Sequence, residues 1–511
     1  MEDKGNDNKL RGDDVGIRYD PLEVDSGSVI SEEANHKVSL EVNRNAQEEL
    51  SRRQRQPIER IKEDSKETKR LLIIVLISLM LCGLGAHFVY DMLQGVQPPL
   101  YQLYQFTTSQ IQRIYSFYYL LNFFVAPFAG ILLTKIGVGS GVVLFNTLLF
   151  TGVSISLVGL SRGTYALLLF GFSLVGIGNE NTINCQVAAV NKWFSGRFLS
   201  LAMGLKFTFS YIIGAFSDYF CPELYLISRN VEACFFASGV CAFIGFCSAA
   251  GFDMIDHFNQ DKVKFKAVKN KKAKGGGFNC GFSLNDISKL PRIFWFNVLA
   301  YSLINNVESQ FVHICTDMAV MKFSYEYQKA KNFIALFKLI VLVLLPLWSA
   351  IVQRIGCKVY FLILSTTTAV VSLVVMIYAR DTPSKWFEGS ILLFGVFYSL
   401  YLSCIWPCIS LSLPLSAATV GFGIASSFQM LGNMISPMIL GWLTKKRDKQ
   451  AYRHALIFLA ISAFLCVIVT VVLLVVDSRN GGVLNRKEDD DVVVSFREEL
   501  DRKFTMGEDS N

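Results

Sequence analysis

Four charged side chains lie inside long apolar segments of the chain: Glu180, Lys206, Glu308 and Lys338. Glu180 ends the stretch Gly-Ile-Gly-Asn-Glu, which falls within the apolar run 164–190. A charge in the middle of a membrane span costs roughly 2.5 to 3.5 kcal/mol on insertion scales. Such groups are therefore functional candidates: a carboxylate at that depth can bind an amine or carry a proton, and a lysine can bind a carboxylate. We interpret the four as groups that face one another around a polar cavity.

Each of these side chains also has a structural interpretation. Glu180 could join helices through a nearby amide, Gln186 or Asn184, but interhelical polar pairs average only about 0.6 kcal/mol, which favours a functional role. Lys206 lies close enough to one end of its span either to extend to the lipid headgroups or to line the cavity. Lys338 lies about 15 Å along its span, too deep to reach the headgroups. It is predicted to line the cavity and to pair with Glu308.

Polar and aromatic residues at similar depths are further candidates. His87 and Asp91 lie at the exit of the first span. The histidine could respond to pH near 6 or bond a hydroxyl group, and the carboxylate could gate the cavity, carry a proton or face water. Trp406 precedes Pro407 in the tenth span. The tryptophan could form a wall of the cavity, the proline could kink the helix, or both. The residues around Gln429 fit either a cavity-lining helix face or close helix packing.

The composition indicates a membrane protein. Hydrophobic residues make up 52% of the 511 residues and charged residues only 18%, against about 25% in soluble domains. Most of the charge is concentrated in residues 1–70, in the stretch 253–292 and after residue 477. The net charge of +7 comes from basic residues beside the membrane. This pattern favours association with an anionic lipid bilayer over binding to nucleic acid.

Two blocks of apolar segments predict twelve transmembrane helices, because one span needs about 20 apolar residues. Six are expected at residues 71–93, 110–134, 140–160, 164–190, 198–220 and 231–252. Six more are expected at residues 292–315, 329–352, 357–379, 386–413, 418–443 and 453–476. The predicted fold class is an all-α membrane protein with two six-helix pseudo-repeats. The predicted domains are a disordered arm (1–70), an N-terminal bundle (71–252), a basic central loop (253–291), a C-terminal bundle (292–476) and a tail (477–511).

Basic residues determine the orientation that we expect. They crowd residues 52–70 and 262–274, whereas residues 94–110 contain none. Because cytoplasmic loops are enriched in Lys and Arg, the arm, the central loop and the tail are predicted to be cytoplasmic. The basic loop 445–453 falls on the opposite side and is the exception to this topology.

Two short turns repeat between the halves. Residues 130–137 read Gly-Ile-Leu-Leu-Thr-Lys-Ile-Gly, and residues 349–356 read Ser-Ala-Ile-Val-Gln-Arg-Ile-Gly. Both turns resemble the loop signature of the major facilitator superfamily, in which an acidic residue caps and locks the cytoplasmic gate. The basic residues of the signature are kept as Lys135 and Arg354, which are gate candidates. The acidic residue is replaced in both turns, by Thr134 and Gln353. The resemblance therefore implies a gate that is weaker or built differently.

Residues 71–485 resemble more narrowly the lysosomal dipeptide-transporter branch of that superfamily, the group named for domain-containing protein one. The matching stretches are Phe-Val-Tyr-Asp at 88–91, Tyr-Ser-Phe-Tyr at 115–118, Gly-Ile-Gly-Asn-Glu at 176–180, Trp-Phe-Ser-Gly-Arg at 193–197, Ile-Trp-Pro at 405–407, Gln-Met-Leu-Gly at 429–432 and Asn-Gly-Gly-Val-Leu-Asn at 480–485. Each stretch is weak by itself, but their joint order and spacing are specific.

The resemblance implies transport of short peptides, which carry a free amine at one end and a carboxylate at the other. Glu180 is retained for the amine, and Tyr118 is a further substrate-binding candidate. The arginine that this branch places in the fifth span is absent, and Tyr211 occupies its position. Lys206 or Lys338 is expected to bind the substrate carboxylate, without the planar two-point contact of an arginine. The resemblance also implies a lysosomal or endolysosomal membrane and allows for a glycosylated single-span accessory protein.

Two functions from different classes remain open from the sequence. The first is a secondary transporter that moves small solutes, above all dipeptides or amino acids, by alternating access. The second is a non-transporting membrane scaffold or nutrient receptor on a transporter fold, which the missing loop carboxylates and the missing arginine support. A primary pump is not expected, because no nucleotide-binding glycine loop occurs. An enzyme is not expected either, because neither a nucleophile–base pair nor a metal-ligand cluster is recognisable. No cofactor or metal is predicted.

Overall fold

The structure is a computed structural model that describes most of the chain. The described residues are 66–96, 100, 103–104, 106, 108–194, 198–259, 287, 289–414, 417–445, 448–488 and 490–506. Several parts of the sequence predictions lie outside them: the arm up to residue 65, residues 195–197 of the motif after the fourth span, residues 260–286 and 288 of the central loop, residues 446–447 of the basic loop 445–453, and residues 489 and 507–511 of the tail.

The described residues fold almost entirely into α-helices. Their bounds are α1 Lys66–Cys82, α2 Leu84–Gly95, α3 Thr108–Ile136, α4 Val138–Ser161, α5 Tyr165–Phe194, α6 Leu199–Ser228, α7 Glu232–Phe258, α8 Arg292–Met321, α9 Tyr327–Ile355, α10 Lys358–Tyr378, α11 Lys385–Leu411, α12 Ala418–Leu443, α13 Lys449–Arg479 and α14 Asp491–Met506. A short 3-10 helix, Val483–Asn485, precedes α14. We refer to α1–α7 as the N-terminal half and to α8–α13 as the C-terminal half.

Helices α1 and α2 form the first span together, with a break at Gly83. Gln186 of α5 donates its side-chain amide to the carbonyl of Leu79 at 2.6 Å, which the Gly83 amide would occupy in an unbroken helix. The Gly83 amide bonds instead to Met80 O at 3.1 Å. A Cβ at position 83 would lie 2.5 Å from Gln186 Nε2. The inserted side chain therefore breaks the helix, and glycine gives it room.

The bundle has twelve membrane-spanning segments when α1 and α2 are counted as one span. In the described part of the chain, ten helical segments are long and apolar enough to span a membrane by themselves. Helices α8 and α12 fall short because they carry amide side chains inside the bundle: Asn305, Asn306, Gln429 and Asn433. Helix α11 continues through Pro407 without a break, so the kink predicted there does not end the helix.

The two halves meet along the helix pairs α3–α12 and α6–α9. Glycine makes both approaches possible. A Cβ on Gly423 of α12 would overlap Ala126 O of α3, and a Cβ on Gly204 of α6 would overlap Ser349 Oγ of α9. Small residues that allow close backbone approach are the usual basis of helix packing in membranes.

The outer surface of the bundle is apolar. On α9, Leu339, Val343 and Leu347 are each more than half exposed, whereas Val341 and Leu345 on the other face are fully buried. The spacing of four residues places the exposed side chains in one stripe along the helix. Such a stripe on a long apolar helix is suited to contact with lipid.

Candidate functional site

A cavity of about 260 Å³ lies between the two halves, lined by α2, α3, α5, α6, α8, α9, α11 and α12. It collects eight of the residues that the sequence singled out: His87, Asp91, Glu180, Tyr211, Glu308, Lys338, Trp406 and Gln429. Four other candidates do not line it: Tyr118, Lys206, Lys135 and Arg354. The predicted polar cavity is therefore present, but the substrate-binding candidates Tyr118 and Lys206 lie outside its wall.

Glu180 reaches the cavity because α5 packs closely against two neighbouring helices. A Cβ on Gly176 would lie 2.8 Å from Tyr118 O of α3, and one on Gly178 would lie 2.5 Å from Leu149 N of α4. Both glycines of the Gly-Ile-Gly stretch are thus needed for these contacts. Tyr118 donates its hydroxyl to Glu180 Oε1 at 3.1 Å. Tyr118 therefore orients the carboxylate from behind the cavity wall.

The amides that offered Glu180 a structural role are engaged elsewhere. Gln186 bonds to the backbone of α1, as described above. Asn184 accepts the hydroxyl of Ser426 of the C-terminal half at 2.5 Å. Glu180 is thus left with the Tyr118 hydroxyl and an open side toward the cavity.

Lys206 is buried just behind the cavity wall, with 1% of its surface exposed. Its Nζ lies 4.1 Å from the centre of the Phe207 ring, and Phe207 lines the cavity. Among the described residues the Nζ has no hydrogen-bond partner, although its charge is close enough to interact with that of Glu180. The alternative in which Lys206 extends to the lipid headgroups is therefore wrong.

Lys338 of α9 connects the two halves through ion pairs. Its Nζ lies 3.3 Å from Asp91 Oδ1 of α2 and also pairs with Asp218 of α6. The predicted pair with Glu308 is not formed, because two carboxylates from the other half, Asp91 and Asp218, already hold Lys338. Asp91 thus belongs to an ion-pair network inside the bundle and is not a solvated helix end.

Sequence reasoning missed several residues of this site, the ionisable Asp218 and His313 among them. Asp218 is a carboxylate inside the fifth apolar segment, and that signal was present in the sequence. A Cβ on Gly214, one turn earlier, would overlap Asp91 Oδ2, so glycine makes room for the network. His313 lines the cavity together with His87, although the two are far apart in the chain. The Nε2 of His87 has no hydrogen-bond partner among the described residues.

Aromatic side chains form much of the remaining wall. Trp406 stacks on Phe207 of the other half at 5.9 Å between ring centres and packs edge-on against Tyr301 at 4.9 Å. Tyr301 donates its hydroxyl to Gln429 Oε1 at 2.5 Å. Tyr211, at the position of the branch's arginine, contributes a phenol to the lining. Trp406 is therefore both a wall of the cavity and a contact between the halves.

The gate candidates lie away from the cavity, at the end of the bundle where the chain after α13 also packs, which we call the tail end. Lys135 and Arg354 are both exposed there. The hydroxyl of Thr134 bonds to a carbonyl of its own helix at 2.7 Å. Gln353 behaves differently, because its Oε1 accepts the backbone amide of Ser200 of the other half at 3.0 Å.

Acidic side chains outnumber basic ones in the cavity wall. Asp91, Glu180 and Glu308 line it together with a single lysine, Lys338. An excess of carboxylates favours a ligand with a positively charged group, because charge-assisted hydrogen bonds are the strong ones in such a site. Among the described residues no cluster of His, Cys, Asp and Glu is suited to hold a metal ion.

Comparison with known proteins places this architecture in a family. The family model described as Major Facilitator Superfamily matches residues 79–437 and 333–505. The chain belongs to the major facilitator superfamily. Its predicted fold, twelve helices in two six-helix repeats, is thereby confirmed, and the protein is a secondary transporter embedded in a membrane.

Comparison with curated relatives identifies the branch of the superfamily that this chain resembles. The chain is 22% identical over 413 residues to the lysosomal dipeptide transporter MFSD1 of Homo sapiens, covering 79% of this chain and 85% of that protein. The same transporter from Danio rerio is 22% identical over 409 residues, covering 78% and 86%. These matches confirm the resemblance to the lysosomal dipeptide-transporter branch.

Solved structures support the superfamily fold. A bacterial homologue of the iron transporter ferroportin in the outward-facing state matches with a TM-score of 0.62 at 13% identity, covering 78% of this chain and 99% of that one. The transporter FucP in the outward conformation matches with a TM-score of 0.61 at 16% identity, covering 79% and 99%. At these identities the likeness concerns the fold alone.

Proposed function

We propose that this secondary transporter moves dipeptides or amino acids across a lysosomal or endolysosomal membrane, with its arm and tail in the cytoplasm. The observation that carries the proposal is the cavity between the halves, in which Glu180 is oriented by Tyr118 and faces the open space. The relatives that are lysosomal dipeptide transporters agree with this substrate class. A glycosylated single-span accessory protein stays a prediction.

Glu180 binds the substrate amine in this proposal. An ammonium group satisfies a buried carboxylate both electrostatically and by hydrogen bonding. The Tyr118 hydroxyl occupies Oε1, which leaves Oε2 and the second lone pair of Oε1 for a ligand. Glu308 and Asp91 add negative charge to the same wall, so a substrate with a second cationic group is also accommodated.

Lys206 is the better candidate for the substrate carboxylate. Lys338 already pairs with Asp91 and Asp218, so a substrate would have to displace one of them. The Nζ of Lys206 has no hydrogen-bond partner among the described residues and lies behind Phe207. In the proposed binding mode this ammonium moves from the Phe207 ring toward the cavity and meets the carboxylate there.

Peptides with a blocked carboxylate test this assignment. We expect lysyl-alanine to bind at least about tenfold more tightly than its C-terminal amide, because a charge-assisted contact contributes about 1.5 to 3 kcal/mol. In Lys206→Met the difference should largely disappear, whereas in Lys338→Met it should remain. Binding is measured by thermal shift of the purified protein, since a ligand that binds the folded state raises the melting temperature.

Two further results complete this test. Tyr211→Arg, which restores the cation of the branch, should increase the preference for the free acid. Equal binding of the acid and the amide by the unaltered protein would contradict recognition of the carboxylate by any cation. Binding of lysyl-alanine without uptake into proteoliposomes would support the nutrient-receptor alternative. That alternative is motivated by Thr134 and Gln353, which replace the acidic residues of the superfamily signature.

A further inference from the structure

The chain after α13 folds back onto the tail end of the C-terminal half. Gly481 and Gly482 reverse its direction with φ of 87° and 68°, a conformation that glycine adopts without strain. The buried carboxylate of Asp477 then accepts the Leu484 amide and the Asn485 side-chain amide, both at 2.9 Å. Asn485 Oδ1 in turn accepts the amide of Val359 at 3.0 Å, at the start of α10. The segment is therefore fixed to its own half by buried hydrogen bonds.

Glu488 of this segment reaches the opposite half. It is 3% exposed and accepts the backbone amides of Leu199 at 3.0 Å and Ser200 at 3.2 Å, together with the Ser200 hydroxyl. These amides begin α6, where the first turn of a helix leaves its N–H groups without partners and favours a negative charge. Lys358 of the C-terminal half lies 3.7 Å from the same carboxylate. Glu488 is thus a helix cap that crosses between the halves.

Arg497 of α14 makes a second crossing. Its Nη2 donates to Asn191 Oδ1 of α5 at 3.1 Å and to the carbonyl of Ser410 of α11 at 3.0 Å. Asn191 belongs to the N-terminal half and Ser410 to the C-terminal half, and the Ser410 hydroxyl also bonds to Asn191. One guanidinium therefore joins the ends of two helices that must separate when this end of the bundle opens.

The last turns of α3 and α9 do not provide a carboxylate that joins the two halves. They carry Thr134 and Gln353 where the superfamily signature has an acidic residue. Gln353 accepts a hydrogen bond from the Ser200 amide at the start of α6, but its side-chain oxygen carries no formal charge. The carboxylate at that helix start comes from Glu488 instead.

We propose that residues 481–488 and 490–497 are a latch that holds the tail end closed, with Glu488 in the place of the missing carboxylate of the superfamily signature and Arg497 as its second contact. In alternating access one half rocks against the other around the site. The bonds of Glu488 to α6 and of Arg497 to Asn191 break in that step, whereas the bonds of Asn485 to α10 persist. The tail therefore controls how often this end opens. The inference rests on alternating access and not on the identity of the substrate.

Distance measurements between the halves test the latch directly. Spin labels are placed at His257→Cys, at the end of α7, and Arg479→Cys, at the end of α13, both of which are exposed. Accessible native cysteines, Cys247 among them, are first replaced by serine. Electron–electron double resonance then reports the populations of the closed and open tail end without any substrate.

We expect Glu488→Gln to shift the closed-to-open ratio by about tenfold toward the open state, because the closed state alone contains the lost contacts. Arg497→Gln should shift the ratio in the same direction, and it keeps the test decisive if Glu488→Gln does not fold. Lys487→Gln, at the exposed neighbouring residue, is the matched control and should leave the distribution unchanged.

Distributions in Glu488→Gln and Arg497→Gln that equal that of Lys487→Gln would overturn the latch and leave the segment as a structural cap. A failure of the proposed function looks different. If the unaltered protein takes up neither dipeptides nor amino acids, the substrate assignment fails, while the distance distributions still decide the latch.

Discussion

Replacing Glu180 with glutamine is expected to reduce dipeptide uptake to background while the protein stays folded. The substitution removes the negative charge and preserves the size of the side chain, so the packing of α5 through Gly176 and Gly178 is retained. Loss of a charge-assisted contact alone lowers kcat/KM at least about tenfold. If the carboxylate also carries a proton, uptake ceases. Uptake of labelled lysyl-alanine into proteoliposomes measures the effect.

Three controls make this result specific. Glu223→Gln neutralises an exposed carboxylate of α6 and should leave uptake unchanged. Tyr118→Phe removes the hydroxyl that orients Glu180 and should produce a smaller loss than Glu180→Gln. N-acetylated lysyl-alanine, which lacks the α-amine, should be a poorer substrate for the unaltered protein. Normal uptake by a correctly folded Glu180→Gln variant would rule out the proposed role.

Removing the Lys338 side chain is expected to be the most destabilising single change at the site. Lys338→Met leaves Asp91 and Asp218 without their cation, and the two carboxylates then repel each other. The side chains of Lys338 and Asp91 are 15% and 17% exposed. The cost should therefore fall between the roughly 1 kcal/mol of exposed pairs and the about 3 to 5 kcal/mol of fully buried ones. Melting of the purified protein in detergent measures it.

The compensating variant separates an ion pair from simple loss of packing. Asp91→Asn combined with Asp218→Asn and Lys338→Met removes every charge of the network, so its melting temperature should exceed that of Lys338→Met alone. Glu308→Gln combined with Lys338→Met should give a smaller recovery, because Lys338 forms its ion pairs with Asp91 and Asp218 and not with Glu308. Strictly additive losses in the first combination would contradict the network.

The sequence anticipated which residues line the cavity better than how they pair. Eight candidates line it, and six of them carry a charged, amide or imidazole group, which inside an apolar segment is stable only in a polar interior. The position of a residue along a helix does not show which neighbouring helix its side chain faces. For this reason the sequence predicts a pair between Lys338 and Glu308, whereas in the structure α2 and α6 bring Asp91 and Asp218 to Lys338.

Hydropathy likewise could not predict the helix break or the close helix contacts. The first apolar segment reads as one continuous span, yet the amide of Gln186 enters it at Gly83. The apolar content of a segment indicates whether it can span the membrane. It does not indicate which side chain of another helix will interrupt the backbone hydrogen bonds of that segment. The capping role of Glu488 was hidden for the same reason, since the tail is polar and resembled an ordinary solvated end.

The sequence by itself determined the number of spans, the two-half organisation and the residue types of the site, because these follow from hydrophobic length, internal repetition and the cost of a charge in lipid. Only the tertiary structure decided the partners: Tyr118 for Glu180, Asp91 and Asp218 for Lys338, and the start of α6 for Glu488. These partners lie on different helices. Their proximity depends on helix rotation and on glycine-mediated contacts, which are set by the packing of the whole bundle.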